Sequence, residues 1–331
     1  MMPMEPIIIK GRCLYTPRGA AREYAAVGCN FHRGCPCQCR YCYNRHGLTR
    51  SVMGVDHAVL KETFSSQSYR PKKYCDLSGE EYAFEVFKRE VDSHLSYLRQ
   101  VGIFFSFSTD PLCQAAFRLT WSAARYAAVH DIPVKILTKR ADFSDLETVL
   151  YFKELLHEQR RNIALGFTLT GSDEWEPFAS PNHRRIEMMK TFHELGYRTF
   201  ASIEPVIDTE KSYQMIKQTL GFCDQYLIGL MSSRKANGLP PYNTKQLAAF
   251  VELVDNTLFG YAVKHGGLFS PVVYWKESIK RQLSCFDSAV KTMYHSPLSV
   301  DSDWSLFTSS HRSIDDPTLL PNSHYMQGLI E

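Results

Sequence analysis

Short apolar runs recur along the chain, separated by segments of helical periodicity. Residues 101–108 (VGIFFSFS), 133–138 (PVKILT), 163–170 (IALGFTLT), 198–203 (RTFASI) and 225–231 (QYLIGLM) are rich in β-branched and aromatic side chains. They lack the polar alternation of a half-exposed strand, so they predict strands covered on both faces. The intervening stretches 112–130, 142–160, 182–196 and 209–221 carry apolar residues at helical spacing and predict amphipathic helices. Ser78-Gly-Glu-Glu81 is a capping box that predicts a helix running to about Arg99. Ser180-Pro181 predicts another helix start, an N-cap followed by proline at the first helical position. Strands alternating with helices mean βαβ units and an α/β fold with a parallel sheet. Beyond residue 232 the pattern changes: a helix over 244–259, a Gly-Gly turn at 266–267, and an apolar run over 268–275. Residues 296–325 are rich in Ser, Asp and Pro with little periodicity and predict an extended or loosely packed tail. The expected division is an N-terminal arm (1–24), a core (25–232) and a C-terminal extension (233–331).

Composition narrows the class. Hydrophobic residues make up 44% of the 331 and aromatics 13%, enough for a real core and too much for a disordered chain. No apolar run approaches the ~20 residues that span a bilayer. Met-Met-Pro-Met-Glu-Pro lacks the charged start and apolar run of a secretory signal, so the expectation is a cytoplasmic protein. A net charge of +3 is no nucleic-acid signature. Arg160-Arg161 and His183-Arg184-Arg185 read as solvated positions at helix edges. Arg70-Pro-Lys-Lys73, beside Tyr69 and Tyr74, would suit a nucleic-acid backbone with stacking, but reads first as a surface loop.

Cysteine placement carries the chemistry. Five of the ten cysteines (Cys29, Cys35, Cys37, Cys39 and Cys42) fall within 14 residues, and the others stand singly. A disulfide framework would be spread out and secreted; this pattern is neither. Cys13, Cys75, Cys113, Cys223 and Cys285 read as small hydrophobes. Within the cluster, Cys35, Cys39 and Cys42 are spaced C-x3-C-x2-C. A structural zinc site wants four ligands, usually in two separated pairs, and no second C-x2-C or H-x3-5-H pair follows. Zinc held by Cys35, Cys37, Cys39 and Cys42 can be written down, as a non-catalytic metal- or nucleic-acid-binding protein, but so tight a run is awkward around one tetrahedral ion. Three thiolates on one loop can instead hold three irons of a [4Fe-4S] cluster and leave the fourth open to a ligand.

The C-x3-C-x2-C motif, with Tyr41 just before its last cysteine, resembles the cluster motif of the radical S-adenosylmethionine (SAM) enzymes. The wider text is similar to the spore photoproduct lyase-like branch of that superfamily. The matching pieces are Arg18-Gly-Ala, Gly34-Cys-Pro-Cys-Gln-Cys-Arg-Tyr-Cys-Tyr43, Ser108-Thr-Asp-Pro111, Leu137-Thr-Lys-Arg140, Glu176-Pro-Phe-Ala-Ser-Pro-Asn-His-Arg-Arg185 and Ile203-Glu-Pro-Val206. They run in the family's order from about residue 12 to 208. The resemblance implies an incomplete (β/α)6 TIM-type barrel with the N-terminal arm and C-terminal extension added. It implies a [4Fe-4S] cluster on Cys35, Cys39 and Cys42, with SAM chelating the open iron and yielding a 5′-deoxyadenosyl radical on one-electron reduction. An electron donor such as flavodoxin or ferredoxin is the implied partner, and no membrane is involved.

Site roles follow from the same resemblance. Tyr41 is the candidate for the adenine contact, with core packing as its alternative. Ser108, Thr109 and Asp110 stand where related enzymes place polar groups against the SAM amino or ribose moiety, although strand-end capping and turn chemistry explain them equally well. Lys139 ends a strand, an odd place for a charge unless it meets water or an anion, and could pair with the SAM carboxylate. Thr168, Thr170 and Glu204 are weaker candidates for ribose or substrate contacts. All fall at predicted strand ends, where barrels of this type keep their chemistry. One departure from the lyase counts against the same DNA repair. Phe107 occupies the slot of the lyase's hydrogen-donating cysteine, and the nearest thiol, Cys113, lies beyond Pro111. Cys37 is an additional thiol inside the loop. The substrate stays open, with nucleic acid weakly supported.

Overall fold

The computed structural model describes residues 6–45, 50, 54–143, 151–232, 234–265 and 271–284. The chain divides into two compact units: Met1–Phe167 with Asp173–Arg198, and Thr168–Ser172 with Thr199–Glu331.

In the first unit five strands lie side by side in the order β1 (Leu14–Tyr15), β2 (Gly28–Cys29), β5 (Ile103–Phe105), β6 (Val134–Thr138) and β7 (Ile163–Thr168), the last residue of β7, Thr168, being assigned to the second unit. The last four are parallel, with Cys29 opposite Phe105, Phe105 opposite Ile136 and Ile136 opposite Leu165. The arm contributes β1, which pairs antiparallel with β2. Every residue of β5 and β7 is buried, which is why these strands read as unbroken apolar runs. β5 is shorter than the run that predicts it. A helix occupies the residues up to Val101, and Gly102 turns the chain at φ +68 before the strand starts.

The capping box forms as predicted: Ser78 Oγ accepts from the Glu81 N–H (3.3 Å), and Glu81 Oε2 accepts from the Ser78 N–H (2.7 Å). The helix it opens, α1 (Gly79–Asp92), stops at Ser93, whose hydroxyl donates to the Arg89 carbonyl (2.8 Å) and competes with the helical ladder. A separate helix, α2 (Leu95–Val101), follows. The expected single helix to Arg99 is therefore two. α3 (Phe117–Val129) starts later than the predicted 112; the Leu112 N–H donates to Asp110 Oδ1 (3.0 Å) in a turn after β5. Part of the predicted helix over 142–160 lies outside the described residues; its end is a single turn, His157–Arg160. α4 (Asn182–Glu194) has Pro181 at its N-cap, with no side-chain capping bond. Ser180 does not cap it: its Oγ accepts from the Ala141 N–H (2.9 Å) instead. Trp121, Phe143, Phe152, Phe192 and Tyr197 make an edge-to-face aromatic core, with Trp121–Phe152 and Phe152–Phe192 centroids both 4.7 Å apart. Each such ring adds about 1.5–3 kcal/mol by burial alone.

In the second unit β8 (Arg198–Val206), β9 (Gln225–Leu230) and β10 (Val272–Trp275) are neighbours in that order, all parallel. The apolar run near residue 272 thus adds a third parallel strand to this unit. α5 (Thr209–Thr219) is capped by Asp208, and α6 (Thr244–Lys264), five residues longer than predicted, is capped by Asn243. α7 (Glu277–Leu283) follows β10. The predicted turn at 266–267 and the tail at 296–325 lie outside the described residues. Among the described residues no helix is long and apolar enough to cross a membrane.

Candidate functional site around the cysteine loop

After β2 the chain forms β3 (His32–Arg33), which pairs antiparallel with β4 (Val59–Leu60). The cysteine loop hangs from this ribbon. Gly34 opens it at φ +77, where a Cβ would lie 2.3 Å from the His57 carbonyl oxygen, so only glycine fits. The Cys35 N–H donates to the Val55 carbonyl (3.0 Å), and Gln38 takes a second left-handed conformation at φ 45. The Cys42 N–H donates to the Cys39 carbonyl (3.1 Å), and a 3-10 turn over Tyr43–Arg45 closes the loop. Cys37 and Cys39 are buried, and Cys35 and Cys42 are half-buried.

Two strand ends meet this loop. Asp110, five residues beyond the end of β5, is buried with both carboxylate oxygens in use. Oδ1 accepts from Thr138 Oγ1 (2.7 Å) and Leu112 N–H, and Oδ2 accepts from the Lys139 N–H (2.7 Å) and, at 3.7 Å, from Cys37 Sγ. Asp110 thereby ties the turn after β5 to the end of β6 and to the cysteine loop. Lys139 follows directly on β6, with its ammonium 5.8 Å from the centre of the Tyr41 ring. Burial opposes the Lys139 charge, but Cys39 and Glu176 around it more than offset this and hold its pKa above the ordinary lysine value.

The thiols sense one another. The Cys35 thiol is drawn below its ordinary pKa, chiefly by its hydrogen bond with Cys37. That bond and burial push Cys37 well up. Burial pushes Cys39 up to about 12 and Cys42 up as well, while the Lys139 charge pulls both the other way. Among the described residues no three His, Cys, Asp or Glu side chains are gathered into a ready ligand set. The donor chemistry fits a thiophilic metal group all the same: four thiols on one loop, with an ammonium beside them that favours thiolates.

Tyr41 is fixed by its hydroxyl, which donates to Glu176 Oε1. Glu176 Oε2 in turn pairs with Arg185 Nη1 at 2.7 Å, and both side chains are fully buried. The loop backbone joins the same segment through the Arg40 N–H on the Trp175 carbonyl (2.9 Å). Arg185 corrects the reading of His183-Arg184-Arg185 as solvated. It lies on the buried stripe Asn182, Arg185, Met189 and Phe192, and that helical spacing was the available signal. Arg160 is also more than a solvated charge: it donates to the carbonyls of Leu155, Leu195 and Lys153. Arg70 likewise donates to the Phe64 and Leu77 carbonyls and braces its own loop.

Ser108 is buried with its hydroxyl on the His32 carbonyl (2.5 Å), and buried Thr109 donates its N–H to Ser106 Oγ (3.3 Å). Phe107 stacks on Phe104 with centroids 4.5 Å apart, and its carbonyl accepts from the Tyr43 hydroxyl. Cys113 is buried, its pKa raised by burial to about 12. Thr168, Thr170 and Glu204 belong to the second unit, both threonines buried. Glu204 Oε2 is held by Lys276 Nζ at 2.7 Å against Gly229, where a Cβ would come within 2.8 Å of Glu204 Oε1.

No family model matches the chain. An uncharacterized protein of Methanocaldococcus jannaschii, MJ0683, is 25% identical over 131 residues, covering 37% of this chain. The chain spans about half (51%) of that relative's length. Among solved structures, Streptococcus suis SuiB bound to S-adenosylmethionine is similar at TM-score 0.41 and 13% identity, over 61% of this chain and 47% of that one. SuiB bound to its precursor peptide SuiA is similar at TM-score 0.35 and 14% identity, over 50% and 35%. Likeness this partial assigns no function.

Proposed function

We propose that this chain is a radical SAM enzyme of the spore photoproduct lyase-like kind, built on an incomplete (β/α)6 barrel, with Cys35, Cys39 and Cys42 holding a [4Fe-4S] cluster. The observation that supports it is the meeting of the C-x3-C-x2-C loop with Asp110 after β5 and Lys139 after β6. When bound, such a cluster with SAM supplies the one-electron cleavage that generates a 5′-deoxyadenosyl radical. The chain's own residues do the rest. The Lys139 ammonium is suited to the carboxylate of the methionine moiety, and Asp110 fixes the backbone from which it extends. Tyr41 presents its ring beside Lys139 while Glu176 holds its hydroxyl. Thr168, Thr170 and Glu204 are proposed for ribose or substrate contacts, and a flavodoxin or ferredoxin for electron supply. Phe107, packed among aromatics, offers no hydrogen atom of the kind a cysteine would give, which separates this chain from the lyase's own reaction.

The test is release of 5′-deoxyadenosine by the chain supplied with iron and sulfide without oxygen, reduced with dithionite and given SAM. Release by the wild type and none by Cys39→Ala supports the reading. Zinc without iron, or an iron-loaded chain that binds no SAM, overturns it.

A further inference from the structure

Three neighbouring strands of the second unit carry one row of residues near their carboxyl ends. Ile203 is opposite Ile228 and Ile228 is opposite Trp275, so Glu204 of β8, Gly229 of β9 and Lys276, just past β10, follow side by side. Lys276 Nζ reaches across the middle strand to Glu204 Oε2 at 2.7 Å. The pair passes over Gly229, where a Cβ would come within 2.8 Å of Glu204 Oε1 and 2.9 Å of Lys276 Cδ. The two ends differ in exposure: the Lys276 side chain is 2% exposed and that of Glu204 22%. We propose that this row is a binding site for a neutral ligand bearing a vicinal diol, in which Glu204 accepts from the hydroxyls while Lys276 and Gly229 position its carboxylate. The inference rests on the reading of Glu204 as a ligand contact given above, and adds to it the chemistry of the ligand and two positioning residues.

Stability alone does not account for the row. A buried ion pair adds little net stability, and a glycine within a strand weakens it and marks a close approach. β8 also holds one residue more than β9 here, since Ile203 pairs with Ile228 and Val206 with Leu230. Such a bulge re-aims a side chain. In α/β sheets ligands sit outside the carboxyl ends of the strands, where this row lies.

Charge selects the ligand. The carboxylate is already matched by an ammonium, so a cationic ligand would make two cations share one anion. An anionic ligand would meet the more open carboxylate, with the ammonium sealed behind it. A neutral hydroxyl donor meets neither penalty. An ionised carboxylate only accepts, at about four positions on two oxygens, which is more than one ammonium uses. Two adjacent hydroxyls match its two oxygens. Tyr242 senses the same carboxylate: burial chiefly raises its pKa, and the Glu204 charge adds to this. Its O–H is donated to the Val206 carbonyl (2.6 Å), so the phenol does not stand in for the ligand.

The test is equilibrium dialysis of the full chain, iron-free and iron-loaded, against two pairs of compounds. One pair is adenosine and 2′-deoxyadenosine; the other is methyl β-D-ribofuranoside and its 2-deoxy analogue. In at least one pair the diol should bind saturably and at least about 10-fold tighter than the analogue lacking one hydroxyl, as expected for a hydrogen bond to a charged group. Lys276→Met and Gly229→Ala should each close most of that gap by weakening the diol and sparing the deoxy compound, and Lys276→Arg should keep it. A preference confined to adenosine marks a nucleoside as the source of the diol; one shared by the riboside marks a sugar. No diol preference in either pair, or a preference unchanged by Lys276→Met with native circular dichroism, overturns the proposal. A chain that releases 5′-deoxyadenosine but shows no diol preference loses this inference alone. One that prefers the diol yet takes up no iron loses the cluster reading alone.

Discussion

Glu176→Gln strands a guanidinium in the protein interior. In the wild type Arg185 Nη1 and Glu176 Oε2 are 2.7 Å apart, and both side chains are fully buried. At that separation the attraction is about 6 kcal/mol for an effective dielectric constant of about 20, and desolvation of the two ions offsets much of it. The net value of the pair is thus small, but removing one partner leaves the other uncompensated, at a cost of about 3–5 kcal/mol. The Tyr41 hydroxyl also loses its charged acceptor, a bond of the ~1.5–3 kcal/mol class that does not add fully to the first. The expected loss for Glu176→Gln is therefore about 3–5 kcal/mol, read as the shift of the urea unfolding midpoint by tryptophan fluorescence. Arg185→Met alone should cost a similar amount, because it strands the carboxylate. The double variant Glu176→Gln, Arg185→Met removes both charges and should cost markedly less than the sum of the two single changes. A single-variant loss under about 1 kcal/mol, or strict additivity in the double, would refute the buried-pair reasoning. The cysteine loop supplies a second readout, since Tyr41 and Arg40 both lean on residues 175–176. Glu176→Gln should lower the iron retained per chain even where the fold survives.

Two further outcomes follow from the same loop. Gly34→Ala combines a φ of +77 with a Cβ 2.3 Å from the His57 oxygen, so it should cost at least about 2 kcal/mol in the same urea assay; unchanged stability would show that the loop can rearrange freely. Burial lowers the His32 pKa to about 4 from its ordinary 6.5, so the folded protein keeps the imidazole neutral while the unfolded chain takes up a proton. Its contribution is fully present above about pH 6.5 and is lost as pH falls toward 4, about 3 kcal/mol in all, and His32→Leu should flatten that slope in urea midpoints taken at pH 7 and 4.5.

Much of the fold was legible because its strands are buried on both faces. β6, β7, β8 and β9 lie within a few residues of the runs that predict them. The errors cluster where a side chain competes with the backbone ladder. Ser93 splits a helix, Asp110 forms a turn ahead of one, and Ser180 serves Ala141 rather than α4. None of these choices has a periodic signature, since each depends on which neighbour comes within reach. At the site, the cysteine spacing and the strand-end positions were legible, and the load-carrying partners were not. Glu176 stands in a matched stretch without a role of its own, and Arg185 reads as a surface charge. A charged residue on an apolar helical stripe is a signal of a buried pair, but the partner's identity needs the tertiary fold.

The strand-end candidates sort by whether their polar atoms are already spent. Asp110 gives its oxygens to Thr138, Leu112, Lys139 and Cys37; Ser108 gives its hydroxyl to His32; Tyr41 gives its hydroxyl to Glu176; Glu204 is held by Lys276. The polar atoms of Asp110, Ser108 and Tyr41, so engaged, position the chain around them. The thiols differ: Cys35 and Cys42 are half-buried and sit within the influence of the Lys139 charge. Substitutions should divide accordingly. Removing Asp110 or Glu176 acts on stability first and on the loop through it. Removing Cys35, Cys39 or Cys42 should leave unfolding nearly unchanged without metal and abolish iron binding. A residue type alone does not distinguish these two behaviours; what each polar atom already touches does.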